Sequence, residues 1–164
     1  MSTPSRWTSW SLCFLLIVSS LLLARCAHDS YQERADRVKE HSDAFYAYLK
    51  ADRVEYAIRE NEQIEAMAGE MGRTVRARGA QQGTAAVERE FALMKTANEA
   101  AATNWLALGQ YFAIKKQYAR ARATYQRVVN TYTNPTERAY REQAARALQD
   151  IDLLDPPSAA TPKP

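Results

Sequence analysis

Cysteine, histidine and proline are nearly missing from the body of this 164-residue chain. Both cysteines, Cys13 and Cys26, precede the region able to fold, which excludes an internal disulfide framework. The two histidines, His28 and His41, belong to no His-Glu-x-x-His pattern, no Cys-x-x-Cys pair occurs, and no glycine-rich loop is present to cradle a phosphate. His41 reads as a surface residue, and Glu60, Glu62 and Glu65 read as solvated carboxylates without an acid/base partner. No metal, cofactor or catalytic residue is therefore expected, and the chain reads as a non-enzyme. An excess of one charge is also lacking. Arg6 and Arg25 account for two of the 22 cations, and the rest nearly balance 19 acids, so no nucleic-acid partner is expected.

What is present is helix-forming sequence. Between Asp29 and Leu154 the single proline is Pro135, and Ala, Glu, Arg, Leu and Gln dominate. Tyr31, Ala35, Val38, Ser42, Phe45 and Leu49 recur at helical spacing and predict an amphipathic helix to about Lys50, with Asp29 or Ser30 as its cap. Asp52 is expected to cap a second helix carrying Val54, Ala57, Ile58, Asn61, Ile64, Met67, Ala68 and Met71, which Gly72 would end. Residues 72–83 then read as a mobile connection; its Arg73, Arg76 and Arg78 also suit a lipid-headgroup contact. From Thr84, a possible cap, the pattern resumes at Val87, Phe91, Met94, Ala97 or Asn98, and Ala101. It continues in phase through Trp105, Leu108 and Phe112, so either one long helix or a break at Thr103-Asn104 fits. A last helix, residues 136–154, opens after Pro135 with Ala139, Tyr140, Ala144, Ala147, Leu148 and Ile151 on its apolar face. Residues 155–164 hold four prolines in ten and predict a disordered tail.

The stretch 103–135 carries Trp105, Leu108, Gly109, Phe112, Tyr118, Ala121, Tyr125 and a late Pro135. This spacing resembles the tetratricopeptide repeat, a helix–turn–helix unit read as W-x2-L-G-x2-Y, then A-x3-F, then P. The resemblance implies an all-α fold of antiparallel helical hairpins over residues 31–154, with the final helix capping the exposed face of the repeat. It also favours a break near Thr103. Sliding residues 31–72 forward by 64 sets Tyr48 on Phe112, Ala57 on Ala121 and Ile64 on Val128, a degenerate second copy or an ordinary hairpin. In such proteins the first helix of each repeat lines a groove for a partner peptide or helix. Carried over, that face comprises Thr103, Leu106, Gln110 and Ala113, with Ile114 near it. Leu106 and Gln110 stand where a carboxylate clamp would need Lys or Asn, so an apolar helix-in-groove contact is implied. Tyr111 and Tyr132, off the best core positions, are candidate interface anchors.

At the N-terminus, Arg6 precedes an apolar run from Leu12 to Ala24, as in a secretory signal or membrane anchor over residues 1–25. Leu23-Ala24-Arg25-Cys26 resembles the bacterial lipobox, which implies lipidation of Cys26 and a tether at 26–30. Arg25 stands where that motif has a small residue, so an uncleaved anchor and cleavage after Cys26 are the alternatives. The combined expectation is an envelope lipoprotein, on the outer membrane or the periplasmic face of the inner membrane. It would serve as a protein–protein adaptor for a membrane-associated assembly, with envelope proteins as partners. The competing expectation is a structural subunit of a larger envelope complex or homo-oligomer, held by an uncleaved signal anchor.

Overall fold

The computed structural model of this chain describes residues 30–79 and 84–156, and every regular element among them is helical. The expected all-α class is what the chain adopts. Helix α1 covers residues 30–50, α2 Val54–Arg78, α3 Thr84–Ile114, α4 Tyr118–Thr131 and α5 Arg138–Leu154, with a 3-10 turn at Pro135–Glu137. The signal-like segment, the lipobox with Cys26, residues 80–83 and the proline-rich residues 157–164 lie outside the described residues. The chain's internal contacts divide it between Arg37 and Val38. In the described part of the first unit, Gln32 Nε2 donates to Asp36 Oδ1 at 2.9 Å and Arg34 Nε to the Ser30 carbonyl at 3.4 Å, one helical turn apart each.

In the second unit α2 packs on α3, α3 on α4 and α4 on α5. Cross-helix bonds fix the directions. Going up α2, Asp52 beside its start meets Lys115, Asn61 meets Asn104 and Glu65 meets Trp105, so α3 runs antiparallel to α2. Arg122 near the start of α4 reaches Asp152 near the end of α5, which makes that pair antiparallel too. His41 Nδ1 lies 2.7 Å from Glu60 Oε2 across the α1–α2 turn. Among the described residues, Phe45, Ile64, Leu93, Leu108 and Val128 are large apolar side chains almost wholly withdrawn from solvent. Each contributes about 1.5–3 kcal/mol by burial.

The two hairpins share one turn. Asp52 and Lys116 both take left-handed backbone angles (φ 59° and 57°). Arg53 and Gln117 follow with φ −96°, ψ 62° and φ −88°, ψ 62°. The turn hydrogen bonds also coincide: Arg53 N to Tyr48 O matches Gln117 N to Phe112 O, and Ala57 N to Arg53 O matches Ala121 N to Gln117 O. Every one of these pairs is offset by 64 residues, the offset at which the sequence weakly matches itself. Ala57 and Ala121 are both fully buried where the second helix of each hairpin crosses the first. A repeated hairpin geometry therefore exists, with little side-chain identity to advertise it.

Four expectations are corrected. Gly72 does not end α2, which continues to Arg78; residues 73–78 are helix rather than connection. Gly72 is buried because α3 comes close: a Cβ there would stand 3.2 Å from Met94 Sδ. No break occurs at Thr103, because α3 is one helix of 31 residues whose apolar stripe never loses phase. The second hairpin thus begins at Thr84, well before the repeat-like stretch. Asp52 is not a side-chain cap: Arg53 takes the N-cap position without a capping bond, and Asp52 turns to Tyr111 and Lys115 instead. Finally, Pro135 opens the 3-10 turn rather than α5; Asn134 and Glu137 form a reciprocal capping box around it.

Candidate partner-binding groove

The repeat-like residues build the wall on which the site rests. Trp105, Leu108, Gly109, Phe112, Ala121 and Tyr125 are buried between α3 and α4, and Tyr118 is half-buried. Gly109 is obligatory there: a Cβ would lie 2.5 Å from Tyr125 Cε1. With no side chain at 109, the Tyr125 ring lies across α3 and reaches its far side.

Behind this wall sits a polar hub that the sequence reading missed. Glu65, expected in solvent, accepts from Trp105 Nε1 at 2.8 Å, Tyr132 OH at 2.8 Å and Arg127 Nη2 at 2.6 Å. The Arg127 guanidinium also stacks over the Trp105 ring, 4.1 Å from its centre. Tyr132, expected at an interface, is buried, and burial together with the Glu65 carboxylate pushes its phenol far above the ordinary tyrosine range. A second buried network joins α1, α2 and α3. Asn61 Nδ2 donates to the Ala101 carbonyl (3.1 Å), Asn104 Nδ2 to Asn61 Oδ1 (3.0 Å) and Ser42 Oγ to Asn104 Oδ1 (3.3 Å). Polar residues on apolar helix faces were the available signal for it. Among the described residues no buried side-chain nitrogen or oxygen is left unpartnered.

On the opposite side of α3 from the hub, a groove of about 390 Å³ opens between α1, α3 and α5. Tyr46 contributes from α1, Thr103, Leu106, Ala107 and Gln110 from α3, and Tyr140, Gln143 and Ala147 from α5, with the Tyr125 ring among them. Three of the five expected partner-binding residues, Thr103, Leu106 and Gln110, meet here. Thr103 and Gln110 are exposed, while Leu106 is only 8% exposed and forms part of the base. The lining holds no Asp, Glu, His, Lys or Arg. Burial raises the Tyr46 and Tyr125 phenols, so both present neutral rings and hydroxyls at neutral pH.

Tyr111, the fourth expected residue, belongs to an adjoining shallow hollow of about 410 Å³ with Tyr46, Leu49, Lys50, Asp52 and Lys115. Its hydroxyl donates to Asp52 Oδ1, and Lys115 Nζ lies 3.5 Å from Asp52 Oδ2. The Tyr111 hydrogen bond and the Lys115 charge hold the Asp52 carboxyl below its ordinary range and raise both partners. Tyr46 borders both hollows. Ala113, the fifth, is half-buried and lines neither. Among the described residues no three His, Cys, Asp or Glu gather closely enough to hold a metal ion, and no helix is long and apolar enough to cross a membrane. No protein-family model, curated protein or solved structure matches this chain.

Proposed function

We propose that the chain is a membrane-tethered, non-enzymatic adaptor of the cell envelope, related in design to tetratricopeptide proteins, whose α1/α3/α5 groove receives a helix or extended segment of a partner protein. The observation carrying this reading is the groove's position. It lies on the first helix of both hairpins and on the helix that follows them, with tyrosine rings, amides and small side chains as its lining. Such a surface offers apolar contact and neutral hydrogen bonds, the means of recognition rather than of proton transfer. The matching turns at a 64-residue offset support the repeat relationship. The apolar run Leu12–Ala24 and the lipobox-like Leu23–Cys26 support the envelope location and lipidation at Cys26.

Filling the groove tests the reading. Gln110 is exposed, so the full-length Gln110→Trp protein is expected to fold normally while its new indole occupies the groove. Capture of the partner from solubilised envelope should fall at least tenfold relative to wild type. Unchanged capture by the variant would place the partner elsewhere.

The alternative of a structural subunit draws on one observation. Ile114, Leu153 and Leu154 are 73%, 82% and 66% exposed, an apolar end that a larger assembly would cover. Sedimentation of the detergent-solubilised full chain separates the two readings. A monomer favours the adaptor, and an obligate oligomer broken by Ile114→Glu favours the subunit.

A further inference from the structure

We propose that residues 157–164, the proline-rich end of this same chain, lie in the α1/α3/α5 groove and must leave it before a partner segment enters. The inference rests on the reading of that groove as a partner receptor.

The lining suits such an occupant. Tyr46, Tyr125 and Tyr140 bring rings from three different helices, while Thr103, Gln110 and Gln143 offer hydroxyl and amide donors. No side chain of the lining is charged. Proline-rich segments dock in aromatic-lined grooves because their extended helix is preformed and leaves its carbonyls free to accept hydrogen bonds. Pro156, Pro157, Pro162 and Pro164 lack a backbone N–H, so this end of the chain brings many acceptors and few donors to satisfy. Between the prolines stand Ser158, Ala159, Ala160 and Thr161, small enough to pass between tyrosine rings, and Lys163 is the one charge of residues 156–164.

Position and reach supply the second observation. By their spacing, Thr103, Ala107, Gln110 and Ile114 share one face of α3, and Tyr140, Gln143, Ala147 and Leu154 one face of α5. Both helices run antiparallel to α4, so the two stripes end on the same side of the unit. They carry the groove on to Ile114 and Leu154, which are 73% and 66% exposed. The proline-rich segment starts at this mouth. Asp155 leaves the helical conformation (φ −143°, ψ 78°), and Arg122 Nη2 donates to its carbonyl at 2.7 Å, which fixes the point of departure. From Leu154 back to Tyr140, α5 rises roughly 21 Å at about 1.5 Å per residue. Residues 157–164 extend roughly 25 Å at about 3.1 Å per residue, enough to line the groove from end to end. A tether this short holds the segment at an effective concentration on the order of millimolar, so weak contacts suffice to keep the groove filled.

The test places a photo-crosslinking amino acid at Ala160 of the full chain, solubilised in detergent, and maps its adducts by mass spectrometry after trypsin. Most adducts are expected within one chain, joining the probe to residues 96–115, the tryptic peptide that holds Thr103 and Gln110. Their yield should fall at least fivefold when Gln110→Trp fills the groove. The combined variant Pro157→Ala, Pro162→Ala and Pro164→Ala, which leaves the helical unit untouched, should lower it as much. Salt at about 1 M should leave the yield unchanged, because the groove carries no charge to screen. Adducts scattered over the surface, or a yield unmoved by Gln110→Trp, would overturn the inference. Adducts found only between two chains would overturn it too, by giving the groove to a second copy. Envelope capture distinguishes the failures, and a chain ending at Pro156 should capture the partner at least threefold better than the full chain. Capture that depends on Gln110 without any adduct to 96–115 removes this inference alone. Adducts that depend on Gln110, with capture that does not, remove the partner from the groove and the competition with it.

Discussion

Two side chains decide how α2, α3 and α4 meet. At Gly109 the Tyr125 ring occupies the space a Cβ would need, with Cε1 2.5 Å from that position. Gly109→Ala must displace a ring that is itself packed, and is expected to cost about 1–3 kcal/mol in chemical denaturation despite alanine's better helix propensity. A neutral or stabilising result would mean that the ring has room to retreat. Glu65 receives three donors at once. Glu65→Ala strands the buried Tyr132 hydroxyl and Trp105 Nε1, while Arg127 keeps Glu62 at 3.8 Å, and should cost about 2–3 kcal/mol; Trp105 fluorescence would report the same change through its lost Nε1 bond. Tyr132 also predicts an alkaline limit. Its phenol is raised by burial first and by Glu65 next, so the folded chain keeps the proton at pH values where the unfolded chain releases it. The stability tied to that proton is fully present below pH ~10 and falls above it by about 1.4 kcal/mol per pH unit. Denaturation midpoints measured at pH 9 and 11 should diverge for wild type, and by distinctly less for Tyr132→Phe.

Among the elements, α3 carries the most information about what the sequence discloses. Its apolar stripe through Trp105, Leu108 and Phe112 was legible, as were the α1–α2 turn, the α3–α4 turn and the start of α5 within three residues. The in-phase stripe is compatible with one unbroken helix or with a break at Thr103, and the resemblance to a known repeat favours the break. The chain adopts the single helix. The unbroken helix makes a sharp prediction. Thr103→Pro sits in mid-helix, where it removes a backbone hydrogen bond and clashes with the preceding turn, so it should cost about 3 kcal/mol or more. A helix beginning near 103 would tolerate the same proline. Near the start of α3 the buried face is offset from the expected stripe by one or two residues: Phe91, on that stripe, is 47% exposed, while Leu93 is buried. Periodicity alone does not choose between neighbours at a helix end where few partners remain. Gly72 misled for a related reason, since a glycine that ends a helix and one that admits a crossing helix look alike in one dimension. Side-chain hubs were the least legible feature. Ser42, Asn61 and Asn104 announce themselves only as polar residues on apolar faces, and their partners lie 40 or more positions away.

For the molecule as a whole, the groove gathers residues from α1, α3 and α5, helices distant in sequence, which is why only its α3 portion was named in advance. Thr103, Leu106 and Gln110 follow from the repeat resemblance. Tyr46, Tyr140 and Gln143 required the packing of three helices side by side. The buried Asn61–Asn104–Ser42 network fixes the register of α1 against α3, and with it the width of the groove. Asn104→Ala should therefore lower partner affinity as well as stability, whereas Arg146→Ala, on the exposed side of α5, should leave both within about 0.5 kcal/mol of wild type. The most direct test of a partner-binding groove places a photo-crosslinking amino acid at Gln110 in the full-length protein, in the cells that make it, with a second variant carrying the same probe at the exposed Glu142 of α5. A discrete protein adduct from position 110, absent from 142, is the predicted result. No adduct at 110, or the same adducts from both positions, would contradict it.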